Sequence, residues 1–151
     1  LQLFDVASLT EEGLMPLKCP FAAPLTKGIA SCRHAREVVR RGGSEYDCAS
    51  EEAHRVCADL FSRLKDRGLG AFGMEEDLTS LPHSVLVKIP SGGLLGLARI
   101  TGGVPPTGKI EDIAALIDEA CIRFGGVQGV PVERLEGDMT GFQLERRARR
   151  R

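Results

Sequence analysis

Tryptophan is absent, tyrosine occurs once and phenylalanine six times in 151 residues, so the chain offers little aromatic surface for stacking nucleic-acid bases. Sheet-type binding of single-stranded nucleic acid is therefore disfavoured. No apolar run approaches the roughly 20 residues of a membrane-spanning helix. The opening residues, Leu1-Gln2-Leu3-Phe4-Asp5, lack the basic flank and apolar stretch of an export signal. These absences point to a cytoplasmic protein with no membrane segment. The chain starts at Leu1 rather than Met, which leaves room for an upstream segment, an export signal included. Also missing are cysteines spaced two to four residues apart, the paired knuckles of structural zinc sites.

A strong charge of one sign is lacking too. The formal charge is −1, but five of the twenty basic residues crowd into the last six positions as Arg146, Arg147, Arg149, Arg150 and Arg151, leaving −6 on residues 1–145. An acidic body argues against a broad nucleic-acid face, and the basic tail is a separate electrostatic object. Arg33, Arg36, Arg40 and Arg41 make the only other arginine-rich run, which reads first as a solvated face.

What the sequence does have is an uneven distribution of cysteine. Cys19, Cys32, Cys48 and Cys57 fall within 39 residues, and only Cys121 occurs in the 94 that follow. Thiolates are soft ligands, and four of them in a cytoplasmic chain match an iron–sulfur or zinc site held by four cysteines. The spacing C-x12-C-x15-C-x8-C has no zinc-type knuckle, whereas a cluster is a large body that tolerates scattered ligands. Cys19-Pro20 also echoes the Cys-Pro step of bacterial ferredoxin motifs. The expected cofactor is one [4Fe–4S] cluster on Cys19, Cys32, Cys48 and Cys57, with zinc as the alternative. His34, two positions after Cys32, and His54, one turn before Cys57, could each substitute for a thiolate. Cys121 reads as a small core residue, since free cysteine is among the most buried residue types. His83 has no evident partner in the sequence.

The expected fold is α+β, with about three helices packed on a small antiparallel sheet or hairpin and a loop-rich, cysteine-containing N-terminal part. Pro16, Pro20, Pro24 and Gly28 break up the first 30 residues. A helix is predicted from Cys32 to Arg41, with Ser31 as N-cap and Gly42-Gly43 as stop. A second is capped by Ser50 and stopped at Gly68, with Ala53, Val56, Cys57, Leu60, Phe61 and Leu64 along one buried face. Ser84–Ile89 and Leu94–Ile100 read as strands joined by Pro90-Ser91-Gly92-Gly93, and Val130–Leu135 as a third strand. A third helix is predicted from about Ile110 to Phe124, ending at Gly125-Gly126. Residues 1–145 form a single domain, in which 1–68 is the cysteine-rich cofactor-binding part and 69–145 an α/β scaffold part; residues 146–151 are the basic tail.

Two glycine motifs match nucleotide signatures without their context. Gly68-Leu69-Gly70-Ala71-Phe72-Gly73 fits G-x-G-x-x-G but follows a helix, where the dinucleotide fingerprint follows a strand. Gly103-Val104-Pro105-Pro106-Thr107-Gly108-Lys109 fits G-x-x-x-x-G-K, but Ile110 stands where a hydroxyl should hold Mg²⁺, and two prolines remove backbone donors that would wrap phosphate. No acid–base pair or substrate site is legible, so catalysis is not the expectation. The first functional expectation is a bacterial-type soluble iron–sulfur protein in electron transfer, or a redox accessory or sensor, working with a redox partner protein. A zinc- or cluster-containing regulatory protein that binds nucleic acid through its arginines is the second, and a metal-free thiol-redox protein the third.

Overall fold

Two stretches carry both a cap and a buried stripe, and both fold as helices in the computed structural model, which describes residues 17–41, 43–73, 82–102 and 109–143. Five helices and a two-stranded antiparallel hairpin make an α+β fold among the described residues. In chain order they are α1 (Ala22–Thr26), β1 (Ala35–Arg40), β2 (Gly43–Cys48), α2 (Glu51–Ala71), α3 (His83–Thr101), α4 (Ile113–Phe124) and α5 (Glu136–Thr140). Single 3-10 turns, Val127–Gly129 and Val132–Leu135, link α4 to α5.

Ser50 begins α2 by accepting a hydrogen bond from the Ala53 amide at 3.1 Å, and Glu51 and Glu52 complement the helix's positive end. The helix does not stop at Gly68. It runs on to Ala71, and Gly68 is buried where an added Cβ would sit 2.8 Å from Ile89 Cγ1. That glycine serves close packing rather than termination. The G-x-G-x-x-G run is thus the last turn and cap of α2. The G-x-x-x-x-G-K run lies, up to Gly108, outside the described residues, as does the basic tail.

The hairpin replaces the helix expected from Cys32 to Arg41. β1 pairs antiparallel with β2 in the register Ala35↔Cys48 to Arg40↔Gly43. The β-branched pair Val38-Val39 favours strand, and Gly43, at φ 117°, takes a conformation that favours glycine where β2 begins. The Arg40 guanidinium binds Glu45 at 2.8 Å and Asp47 at 2.7 Å across the ladder, cross-strand ion pairs that the hairpin register creates.

The two strands expected between Ser84 and Ile100 are instead one helix, α3, with Pro90 inside it. This helix is central: Val85, Val87, Ile89, Leu94 and Leu97 on its different sides are all buried, so the sequence shows no single-face period. Its glycines admit neighbours. A Cβ on Gly92 would lie 2.6 Å from Met139 Cα, and one on Gly96 would lie 2.6 Å from Asp138 Oδ2, so α5 rests directly on the α3 backbone. The strand expected at Val130–Leu135 is a 3-10 turn, because Pro131 cannot donate to a ladder and its carbonyl accepts from the Arg134 amide at 2.9 Å.

α4 begins at Ile113, not Ile110. Asp112 is its N-cap, and Gly125, at φ 77°, ends it in the left-handed conformation that favours glycine. Ile110 itself pairs with Ala30 in an isolated parallel bridge. Phe21, Leu60, Leu64, Leu94, Leu97, Ile113, Leu135 and Met139 form the fully buried centre, to which α2, α3, α4 and α5 all contribute. No helix of the described residues is long and apolar enough to cross a membrane.

Candidate metal centre

Four separate pieces of backbone deliver the four clustered cysteines. Cys19 sits on a short extended segment added to the outer side of β2: its amide donates to the Tyr46 carbonyl at 3.0 Å, and the Cys48 amide donates back to the Leu17 carbonyl at 2.7 Å. This pairing sets Cys19 beside Cys48, the last residue of β2. Two residues on, Phe21 is fully buried and meets Phe61 of α2 edge-to-face, with ring centroids 5.8 Å apart, which anchors the Cys19 loop to the core. Cys57 lies one turn before Phe61 on the same inward face of α2. Cys32 belongs to the turn that leads into β1, where its carbonyl accepts from the Ala35 amide at 3.1 Å.

These four side chains line one small cavity, together with Pro20, His54, Ala53 and the first two residues of α4, Ile113 and Ala114. The cavity measures about 20 Å³, room for about a single water. Cys19, Cys32 and Cys48 are half-buried and Cys57 is buried, and none is in a disulfide. Among the described residues, no group of three or more His, Cys, Asp or Glu side chains is drawn together as a site for a metal ion.

Burial pushes the Cys19 thiol up to about 11, with the Phe21 amide hydrogen bond opposing the shift and the neighbouring Cys32 and Cys48 adding to it. Burial raises Cys57 further, to about 12, and the charges that would develop on Cys19, Cys32 and Cys48 reinforce it. Without a cation to hold, these two thiols are neutral at physiological pH. The Cys48 thiol lies 3.2 Å from the Ser50 carbonyl, to which it donates.

The two histidines separate. His54 lines the cysteine cavity, with its Nε2 3.0 Å from the Lys18 carbonyl. His34 lines an adjoining pocket of about 280 Å³ with Arg33 and Asp118, and this pocket touches the cysteines only at Cys57. Cys121 is outside the cavity, partly buried against the core on α4, with its thiol raised by burial and by Asp118. His83 starts α3 and is exposed. Of the arginine run, Arg33 is tied to Asp112 and Asp118, and Arg40 to Glu45 and Asp47.

Sequence reasoning missed the far wall of the site. Ile113 and Ala114 supply it from a segment more than 50 residues beyond Cys57, and Asp112, outside the lining, precedes them as N-cap of α4; the one available signal was an Asp placed just before an apolar stripe. No family model, curated protein or solved structure matches the chain.

Proposed function

We propose that this protein carries a metal centre on Cys19, Cys32, Cys48 and Cys57, with an iron–sulfur cluster of the [4Fe–4S] type as the first reading, and that it works as an electron carrier or redox sensor. The observation that supports it is convergence: four thiols from four separate segments line one cavity, to which no carboxylate of the described residues contributes. Four thiols, with the His54 imidazole as the other possible donor on the lining, select soft or borderline metals over Mg²⁺ or Ca²⁺. The cavity also meets the N-terminal ends of α2, through Ala53 and His54, and of α4, through Ile113 and Ala114. Thiolates gathered at two positive helix ends gain about 0.3–1 kcal/mol from each, a gain that Glu51, Glu52 and Asp112 partly offset. A bound cluster would supply one-electron redox chemistry; Cys19, Cys32, Cys48 and Cys57 would hold it, and Pro20, Ile113 and Ala114 would supply the apolar wall beside it.

A second reading is a single zinc ion on the same cysteines. The small volume favours it, since about 20 Å³ is closer to one ion than to a cube of eight atoms, and a cluster needs the thiols to part on loading. Anaerobic purification followed by iron, sulfide and zinc analysis and absorption near 400 nm separates the two. About four irons per chain with a brown colour supports the cluster, whereas stoichiometric zinc without iron removes it. A protein that takes up neither metal, even on reconstitution with Fe²⁺ and sulfide, overturns the metal-centre proposal and leaves thiol-redox chemistry.

A further inference from the structure

Resting on the reading of the four cysteines as ligands, we propose that Asp112 is a positioning residue for the centre: it clamps the Cys32 loop to the start of α4 and thereby sets how long a cofactor is retained and how it is held. Asp112 is 80 residues from Cys32 in sequence, yet its carboxylate satisfies three donors at once. Oδ1 accepts from the Arg33 amide at 3.1 Å and from the Ala114 amide at 3.2 Å, while Oδ2 accepts from Arg33 Nη1 at 3.0 Å. Arg33 reaches on to Asp118 at 3.2 Å with its other nitrogen.

The clamp completes a continuous seam. The Ile110 amide donates to the Ile29 carbonyl at 2.9 Å, the Ser31 amide to Ile110 at 2.9 Å and the Ile113 amide to Ser31 at 2.8 Å. Residues 29–33 are thus stitched to residues 110–113 on both sides of Cys32, and Ile113 and Ala114 then form part of the cavity wall. A ligand whose flanking peptides are fixed before the metal arrives loses less conformational freedom on binding, and partners of this kind, one shell behind the ligands, affect metal affinity by about 10–100-fold.

Capping and clamping can be separated. Asp112 is in extended backbone, at φ −152°, which any residue adopts, and glycine is tolerated at an N-cap. Asp112→Gly therefore keeps α4 but releases Arg33, while Asp112→Asn keeps an oxygen for both amides. Each full-length variant is reconstituted anaerobically with Fe²⁺ and sulfide. Decay of the 400 nm absorption in air, the EPR line shape of the reduced centre and the melting of the metal-free protein are then recorded. The expected result is a centre that decays about tenfold faster or more in Asp112→Gly, with an altered EPR line shape and metal-free melting close to wild type, and recovery to within about threefold in Asp112→Asn. A folded Asp112→Gly protein whose decay and EPR signal match wild type overturns the positioning role.

Amide hydrogen exchange at Arg33 in the metal-free wild-type protein tests the same clamp without a variant. Slow exchange is expected, and exchange at the rate of an open chain overturns the proposal even if Asp112→Gly fails to fold. The wild-type arm distinguishes the two levels of inference. A wild type that takes up no metal refutes the cysteine reading, whereas a wild type that loads normally beside an indistinguishable Asp112→Gly refutes the clamp alone.

Discussion

If the clustered cysteines are the ligands, metal uptake should depend steeply on pH, and the two most shifted thiols set the minimum slope. Cys19 is raised to about 11 and Cys57 to about 12, in both chiefly by burial. At pH 7 both therefore carry their protons, and only the thiolate binds zinc or iron. Below its own pKa, each thiol that must shed a proton weakens apparent affinity about tenfold for every unit by which pH falls, since one unit corresponds to about 1.4 kcal/mol. Cys19 and Cys57 alone then impose about a hundredfold per unit, with weaker binding at lower pH. The assay is an anaerobic Co²⁺ titration of the metal-free protein against a competing chelator at about pH 6.5, 7.0 and 7.5, read on the thiolate-to-cobalt charge-transfer band. A logarithmic slope of two or more is expected, reduced by one in Cys57→Ala. A slope of one or less in the wild type would show that Cys19 and Cys57 do not both bind, and the cysteine reading would fail.

The same burial predicts the alkaline behaviour of the metal-free fold. Both thiols are raised above the ordinary value of 9.0, so the folded state holds their protons more tightly than the unfolded chain does. That contribution is complete below about pH 9 and is lost as pH rises towards 11 and 12. Metal-free protein should therefore melt at lower temperature above about pH 9, and Cys57→Ala should flatten the decline.

Changing Cys19, Cys32, Cys48 or Cys57 to Ser should abolish or destabilise the centre, whereas Cys121→Ala should retain the full metal content, as read by metal analysis of each variant. Gly92→Ala should lower stability by about 2 kcal/mol despite its better helix propensity, because the new Cβ meets the Asp138–Met139 backbone; Gly70→Ala, whose new Cβ would meet nothing of the described residues within 4 Å beyond its own helix turn, should be neutral or stabilising by about 0.5 kcal/mol. Thermal melting distinguishes them, with the first falling by roughly 4–8 °C. Ser91→Ala should be neutral or stabilising in denaturant titration, since the Ser91 hydroxyl is fully buried with no hydrogen-bond partner among the described residues. Removing metal with a chelator should leave far-ultraviolet circular dichroism almost unchanged, in contrast to a zinc finger, which unfolds without its metal.

The parts of the fold that were legible are those in which local pattern and tertiary environment agree. In α2 and α4 one face is buried and the other exposed, so the 3.6-residue period survives in the sequence, and Ser50 and Gly125 mark their ends by ordinary cap chemistry. α3 was hidden by its own centrality. A helix buried on nearly all sides carries no amphipathic period, and Pro90-Ser91-Gly92-Gly93 reads locally as a turn although Gly92 admits α5 and Gly93 admits Leu64 of α2. Around Cys32, Ser31 and Gly42-Gly43 imitate a helix cap and a helix stop. The competing signal was the β-branched pair Val38-Val39, and cross-strand pairing of Arg40 with Glu45 and Asp47 supports the strand.

Cys19, Cys32, Cys48 and Cys57 nonetheless line one cavity, and the reason lies in what fills the gaps between them. Residues 20–31 hold Phe21, α1 and the seam with Ile110; residues 33–47 hold the Arg33 clamp and nearly the whole hairpin; residues 49–56 hold the Ser50 cap and the first turns of α2. Each interval is one structural element long, which is why it exceeds the two to four residues of a zinc knuckle. A knuckle positions its ligands by a local turn and leaves the metal to organise the rest. Here the hydrophobic core around Phe21, Leu60 and Ile113 brings the four thiols to one cavity by tertiary packing, with no local knuckle. Asp112 belongs to the same arrangement. No local spacing could have revealed it, because its bond to the Arg33 amide spans 79 residues and exists only once α4 has docked against the cysteine loop.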